Sequence, residues 1–275
     1  MTRTTMTNPP MDNHFSDYEF LADKLYQTSL EAGRKIMEIY LKDFNVDYKV
    51  DDSPVTEADQ AAEKIILRDL REITPSIPII AEEQASDGNI PDVADIFWLV
   101  DPLDGTKEFI RKGTDFTVNI ALIEQGQPSF GIVYAPALGR MFVAKTPDDS
   151  VQMDVREGRF IGTERTISVR DVPASGITAV ASKSHRDAQT NDFLEKLGIT
   201  DIVSTGSSLK FCLLAAGEAD IYPRFGPTME WDTAAGHAVL KAAGGTVTNP
   251  DGTVFRYQKP EFRNGFFIAN GKVRF

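Results

Sequence analysis

Two long stretches near the N-terminus repeat apolar side chains at steps of three and four. In residues 16–42 these are Phe20, Ala22, Leu25, Leu30, Ile36, Met37 and Tyr40, with charges between them. In residues 57–73 they are Ala61, Ile65, Ile66, Leu70 and Ile73. Such a period places the apolar groups on one face of a helix. Thr74-Pro75 stops the second helix, because the residue before a proline is pushed out of the helical region. The pattern then changes. Ile77–Ala81 and Ile96–Val100 are short unbroken apolar runs, predicted as buried strands. The first delivers Glu82 and Glu83 at its end, the second Asp101. Thr117–Ile123 and Ser129–Ala135 read as strands joined by a turn at Glu124-Gln125-Gly126-Gln127, and Met141–Lys145 as one more.

The polar stretch Thr146–Thr166, with Pro147, Asp148, Asp149 and Ser150, interrupts this pattern and reads as the place where one half of the chain gives way to the next. Beyond it strands alternate with helices: strands at Thr178–Ala181, Asp201–Ser204, Ala219–Tyr222, Thr246–Thr248 and Gly265–Ala269, and helices at Ala188–Leu197, Leu209–Ala216 and Thr233–Ala243. The expected organisation is a loose tail (1–15), an N-terminal α+β half (16–150) and a C-terminal α/β half (151–275).

Charge narrows the function. In 275 residues there are 29 Lys+Arg and 41 Asp+Glu, a formal net charge of −12. An acidic surface repels phosphate backbones, which excludes broad binding of a nucleic-acid polymer. It does not exclude one small phosphorylated ligand, because a bound metal or a few local cations reverse the field at a single site. Cys212 is the only cysteine, so neither an intrachain disulfide nor a Cys-rich zinc site can form, in keeping with a reducing compartment. No run of about 18 apolar residues marks a membrane span, so no stable membrane insertion is expected. A cytoplasmic location is expected, with loose contact at the inner face of the membrane left open. Oligomeric state has no sequence signal.

The chemistry lies in the carboxylates at element ends. In Trp98-Leu-Val-Asp101-Pro102-Leu103-Asp104-Gly105-Thr106 an apolar strand runs into two acids three residues apart. On a turn permitted by Gly105 they can converge on one point together with the Leu103 carbonyl, an all-oxygen set that suits a hard cation. Thr106 would cap a following helix whose first N–H groups face a phosphate. Each acid also has an ordinary reading: Asp104-Gly105 as a turn, Asp101, Asp232 and Asp59 as helix caps. Their joint placement beside apolar strand ends favours a metal site, without fixing the metal or the reaction.

These residues resemble the inositol monophosphatase superfamily. Asp101-Pro-Leu-Asp104-Gly105-Thr106 and Trp231-Asp232-Thr-Ala-Ala-Gly236 look like its paired signature, and Thr56-Glu-Ala-Asp59 and Ile80-Ala-Glu82-Glu83 match further segments in order. Lys107-Glu108-Phe109, Ser182-Lys183-Ser184-His185-Arg186 and Tyr222-Pro223-Arg224-Phe225-Gly226-Pro227-Thr228 are most similar to its CysQ-type 3'(2'),5'-bisphosphate nucleotidases. The resemblance implies a layered α-β-α-β-α sandwich and a lithium-sensitive phosphatase that uses two or three Mg²⁺ ions. Its implied substrate is adenosine 3',5'-bisphosphate, a by-product of sulfate activation. It implies a first metal on Glu82, Asp101 and the Leu103 carbonyl, and a second on Asp101, Asp104 and Asp232. Asp59 would help hold a third through water, and Thr106 would pair with Glu82 to orient the attacking water. Amides at Gly105 and Thr106 would hold the phosphate. Lys107, Lys183, His185, Ser207, Lys210 and Arg224 would serve the substrate. His237, inside a helix, and both tryptophans read as packing. The nearest alternative is an inositol or sugar monophosphatase of the same fold. A structural Ca²⁺ module is the alternative from another class.

Overall fold

The computed structural model describes residue 15, residues 17–49, 54–182 and 187–274. Helix α1 (Tyr18–Tyr40) is capped by the Asp17 side chain, which accepts from the Phe20 N–H at 3.0 Å. Helix α2 (Glu57–Ile73) opens on a capping box between Thr56 and Asp59. The two pack on each other and on one face of a seven-stranded sheet. Its strands are β3 (Ile79–Ala81), β4 (Ile96–Asp104), β5 (Thr117–Glu124), β6 (Gln127–Ala135), β7 (Arg140–Thr146), β8 (Asp149–Arg156) and β9 (Arg159–Thr166), side by side in chain order. Only the β3–β4 pair is parallel. A short ribbon, β1 (Val46–Tyr48) with β2 (Pro54–Thr56), precedes α2.

Helices α6 (Leu209–Ala215) and α7 (Ala234–Ala242) cover the other face of this sheet and separate it from a second. That five-stranded sheet runs β11 (Asp201–Thr205), β10 (Thr178–Ser182), β12 (Ile221–Arg224), β14 (Phe267–Asn270), β13 (Thr246–Thr248). Helix α5 (Ala188–Lys196) packs on its outer side. The layering is therefore the expected α-β-α-β-α sandwich. It also explains the unbroken apolar runs. Along β4, Trp98 and Val100 point into the core under α1 and α2, while Phe97 and Leu99 point into the core under α6 and α7. A strand covered on both faces has no polar side to alternate.

One reading is corrected. Thr146–Thr166 is not an interruption; it supplies β8 and β9, and residue 150 lies inside β8. The chain leaves the first sheet only after Thr166. β9 is an edge strand with mostly exposed residues, so it carries little apolar signal. Phe15, the last residue assigned to the tail, donates its N–H to Glu124 Oε1 at 2.6 Å. Among the described residues no helix is long and apolar enough to cross a membrane.

Candidate active site

The site is assembled where β3, β4, β12 and the starts of four helices meet. β3 runs directly into Glu82, the first residue of α3 (Glu82–Ser86). β4 carries Asp101, Leu103 and Asp104, and its pairing with β5 is broken between Asp101 and Asp104. That irregularity turns the end of the strand so that both acids reach the same cleft. Gly105 follows at φ +95°, and α4 (Thr106–Ile110) begins. From the second half come Ser207 and Lys210 around the start of α6, Tyr222 and Arg224 on β12, and Asp232 ahead of α7. All of these line one cleft of about 520 Å³, with Lys107 at its exposed rim.

Two glycines let the halves approach. A Cβ on Gly105 would meet the Asp115 carbonyl oxygen at 2.8 Å, and one on Gly206 would meet the same atom at 2.7 Å. The Asp115 carboxylate closes the junction by accepting from the Gly206 N–H and the Thr205 hydroxyl, each at 3.2 Å.

Each acid is held by protein donors. Thr56 gives its N–H (2.8 Å) and its hydroxyl (2.7 Å) to Asp59 Oδ2. Thr106 Oγ1 lies 3.0 Å from Asp59 Oδ1 and 3.1 Å from the Leu103 carbonyl oxygen. Lys49 Nζ reaches Glu82 at 2.7 Å and Glu83 at 2.8 Å. The Leu103 N–H donates to Asp101 Oδ1 (3.0 Å), Asn119 Nδ2 to Asp104 Oδ2 (3.4 Å) and the Met229 N–H to Asp232 Oδ2 (2.8 Å). Asn119 also donates to Ser208, whose hydroxyl donates to the Asp232 carbonyl at 2.6 Å.

The electrostatics call for a cation. Burial, then the charges of Glu82, Asp104 and Asp232, hold the Asp101 carboxyl well above its usual range. Burial, then Asp104 and Glu82, do the same to Asp232. Asp104 is pushed up to about 6 by burial, against the pull of Lys210, and Asp59 to about 6 by burial. Positive charge that joins carboxylates crowded this way favours their ionised form. The oxygen-only donor set fits Mg²⁺. Among the described residues no three acids, histidines or cysteines converge tightly enough to form a ligand shell unaided. The oxygens are spread around the cleft and tied to the donors above, so a cation would have to draw them together.

Opposite the acids stand Lys210 and Arg224. Lys210 is buried, lowered to about 8 by that burial, and its Nζ donates to the Ser207 carbonyl at 2.6 Å. Arg224 Nη2 donates to the Pro227 carbonyl at 3.0 Å. Ser207 sits at φ +49°, and its Oγ is buried without a partner among the described residues.

The structure thus gathers Glu82, Asp101, Leu103, Asp104, Gly105, Thr106, Lys107, Ser207, Lys210, Arg224 and Asp232 around the cleft, with Asp59 behind Thr106. Lys183 and His185 lie outside the described residues. The Thr106 hydroxyl bonds directly to Asp59, because the capping box turns the other Asp59 oxygen toward it, and Glu82 lines the same cleft. His237 is buried against Tyr257, Nδ1 to Oη 3.1 Å, and Trp98 gives its indole N–H to Thr74 at 2.9 Å; both are packing, as expected. Lys49, Asn119 and Asp115 were not singled out from sequence. Lys49 stands in a polar loop and Asn119 inside an apolar strand, far in sequence from the acids they serve.

Fold and site together define a phosphatase-type acid cleft, and the chain belongs to the inositol monophosphatase family, whose model matches residues 17–273. It is 45% identical over 247 residues to the 3'(2'),5'-bisphosphate nucleotidase CysQ of Salmonella typhimurium, covering 88% of this chain and 95% of that protein. It is 44% identical to the Escherichia coli K12 protein of the same name, over 90% of this chain and 99% of the other. The crystal structure of CysQ from Bacteroides thetaiotaomicron superposes with a TM-score of 0.75 at 35% identity, covering 93% of this chain and 99% of that one.

Proposed function

We propose that this chain is a Mg²⁺-dependent phosphatase that hydrolyses the 3'-phosphate of adenosine 3',5'-bisphosphate, giving AMP and inorganic phosphate. The observation that carries this reading is a wall of buried cations, Lys210 and Arg224, facing the acid cluster across one cleft. A substrate with two phosphates needs that second charge; a monophosphate ester does not. The nucleotidase relatives support the same choice.

Glu82, Asp101 and the Leu103 carbonyl hold one Mg²⁺ in this reading, and Asp101, Asp104 and Asp232 a second, with Asp59 supporting a third through water. Bound there, Mg²⁺ supplies charge that acidifies water and offsets the negative charge of the leaving oxygen. The protein does the rest. The Thr106 hydroxyl, anchored by Asp59, orients the attacking water, and Asp59 accepts its proton. The water oxygen bonds to phosphorus as the bond to the 3'-oxygen breaks, and that oxygen leaves with a proton from solvent. Amides at Gly105 and Thr106 hold the phosphoryl oxygens, with Lys107 at the rim. Lys210, Arg224 and the Ser207 hydroxyl hold the second phosphate, joined by Lys183 and His185 from outside the described residues. The reading places the enzyme in the cytoplasm.

The test is phosphate release by purified protein with Mg²⁺. Adenosine 3',5'-bisphosphate is expected to exceed inositol 1-phosphate by at least about tenfold in kcat/KM, a difference of about 1.4 kcal/mol. Equal rates, or a preference for the inositol phosphate, sink the nucleotidase reading. Millimolar lithium is expected to inhibit.

A further inference from the structure

Between Tyr257 and Asn264 the backbone adopts a conformation that ordinary side chains resist. Gln258, Glu261 and Phe262 all have positive φ, at +73°, +55° and +51°. Three non-glycine residues in the left-handed region within five positions persist only where the surroundings over-determine them. The surroundings do so here. Glu230, fully buried, accepts from the Gln258 N–H and the Lys259 N–H, both at 2.9 Å, and from Lys259 Nζ at 3.0 Å. Asn264 gives its amide to the Met229 carbonyl at 2.7 Å and to the Thr233 and Thr228 hydroxyls at 3.0 and 3.1 Å. Phe262 is buried against Phe97.

Between these two anchors Pro260, Glu261 and Arg263 are exposed, and of these it is Arg263 that lines the active-site cleft, beside Thr228 and Met229. A bridge pairs Arg263 with Met229, whose N–H is the one that holds Asp232. The strap is therefore fastened at both ends to the loop that carries Asp232, and what it presents to the cleft is a guanidinium.

We infer that Arg263 is a substrate-specificity residue whose guanidinium takes the phosphate of the bisphosphate that is not hydrolysed, an inference that rests on the bisphosphatase reading above. Lys210 and Arg224 are buried in the cleft wall, whereas Arg263 reaches it from the solvent side. The phosphate that Lys210 and Arg224 hold from the wall is met on its open side by this planar fork, which can bind two oxygens at once. The strained strap fixes where that fork begins.

The experiment compares wild type with R263M and R263K. R263M is expected to raise KM for adenosine 3',5'-bisphosphate about tenfold, the value of one charge-assisted contact, with kcat within about twofold. KM for adenosine 3'-monophosphate is expected to stay within about twofold. Inhibition by adenosine 5'-monophosphate weakens about tenfold while inhibition by inorganic phosphate does not, and R263K recovers part of both losses. Unchanged bisphosphate kinetics in R263M, or equal losses on both substrates, overturn the inference and leave the bisphosphatase reading standing. Wild-type protein that leaves the bisphosphate untouched overturns both.

Discussion

The hydroxyl of Thr106 is shared between Asp59 and the Leu103 carbonyl, 3.0 and 3.1 Å away. One proton cannot satisfy both acceptors at once; in the proposed mechanism the hydroxyl turns a lone pair toward a water in the cleft and passes a proton on to Asp59 behind it. Asp59→Asn is expected to lower kcat by about 10²–10⁴ with the helix start intact, since the amide oxygen still accepts from Thr56. Burial holds this carboxyl up at about 6, and only the ionised form accepts a proton. Wild-type kcat should therefore fall at acid pH, below this value because bound Mg²⁺ favours the ionised form, and the variant's residual rate should lack that limb. Circular dichroism and a pH–rate profile check both.

Lys49 touches Glu82 and Glu83 at once. Without it two partly buried carboxylates face each other with no counter-charge. Lys49→Met should cost about 3 kcal/mol in chelator, the low end for breaking a buried pair because Glu82 stays partly exposed. That corresponds to a melting temperature lower by roughly 6–10 °C. Mg²⁺ should recover part of the loss. Thermal unfolding with and without metal reads this out; an unchanged melting temperature in chelator refutes it.

Asp104→Asn should separate catalysis from folding. The carboxyl is already biased toward its neutral form by burial, and asparagine keeps its shape and its acceptor for Asn119. Melting in chelator should move by less than about 2 °C, while kcat/KM falls by at least about a hundredfold through lost metal charge. Calorimetric Mg²⁺ titration should show weaker binding.

His237 gives a stability prediction away from the cleft. Burial holds its pKa down at about 3, below the value near 6.5 of an unfolded chain. Between those values the unfolded state binds the extra proton. The stability that neutral His237 permits is complete above pH 6.5 and is lost as pH falls toward 3, at up to about 1.4 kcal/mol per pH unit. The buried acids act in the opposite sense, so the comparison is internal. His237→Gln should flatten the acid-side loss relative to wild type in urea unfolding at pH 7, 6 and 5.

Much of this molecule is legible in its sequence where one physical signal dominates. α1 and α2 show their helical period because one face of each is buried, and β4, β5 and β6 show unbroken apolar runs because helices cover both faces. The acids at the ends of β3 and β4 are conspicuous because charge rarely abuts such runs. Other features carry no such signal. β9 has neither alternation nor an apolar run, and β1 and β2 are three residues each. The Thr106–Asp59 contact depends on how a capping box rotates one carboxylate. Lys49 and Arg263 enter the site from opposite ends of the chain, a juxtaposition that only tertiary structure creates.

The polarity that conceals β9 has its own use. Strands at the two borders of a sheet offer unpaired amides and carbonyls to any extended segment they meet. One border here, β3, is three residues long. The other, β9, spans Arg159–Thr166 and bristles with charge: Arg165 is paired with Asp154 and Glu164 with Lys145. A hydrophobic strand at that position would be easier to foresee, and it would invite neighbouring molecules to zip on. The chain instead terminates its largest sheet with a row of ions, a safeguard against aggregation written into the stretch that looks least like a strand.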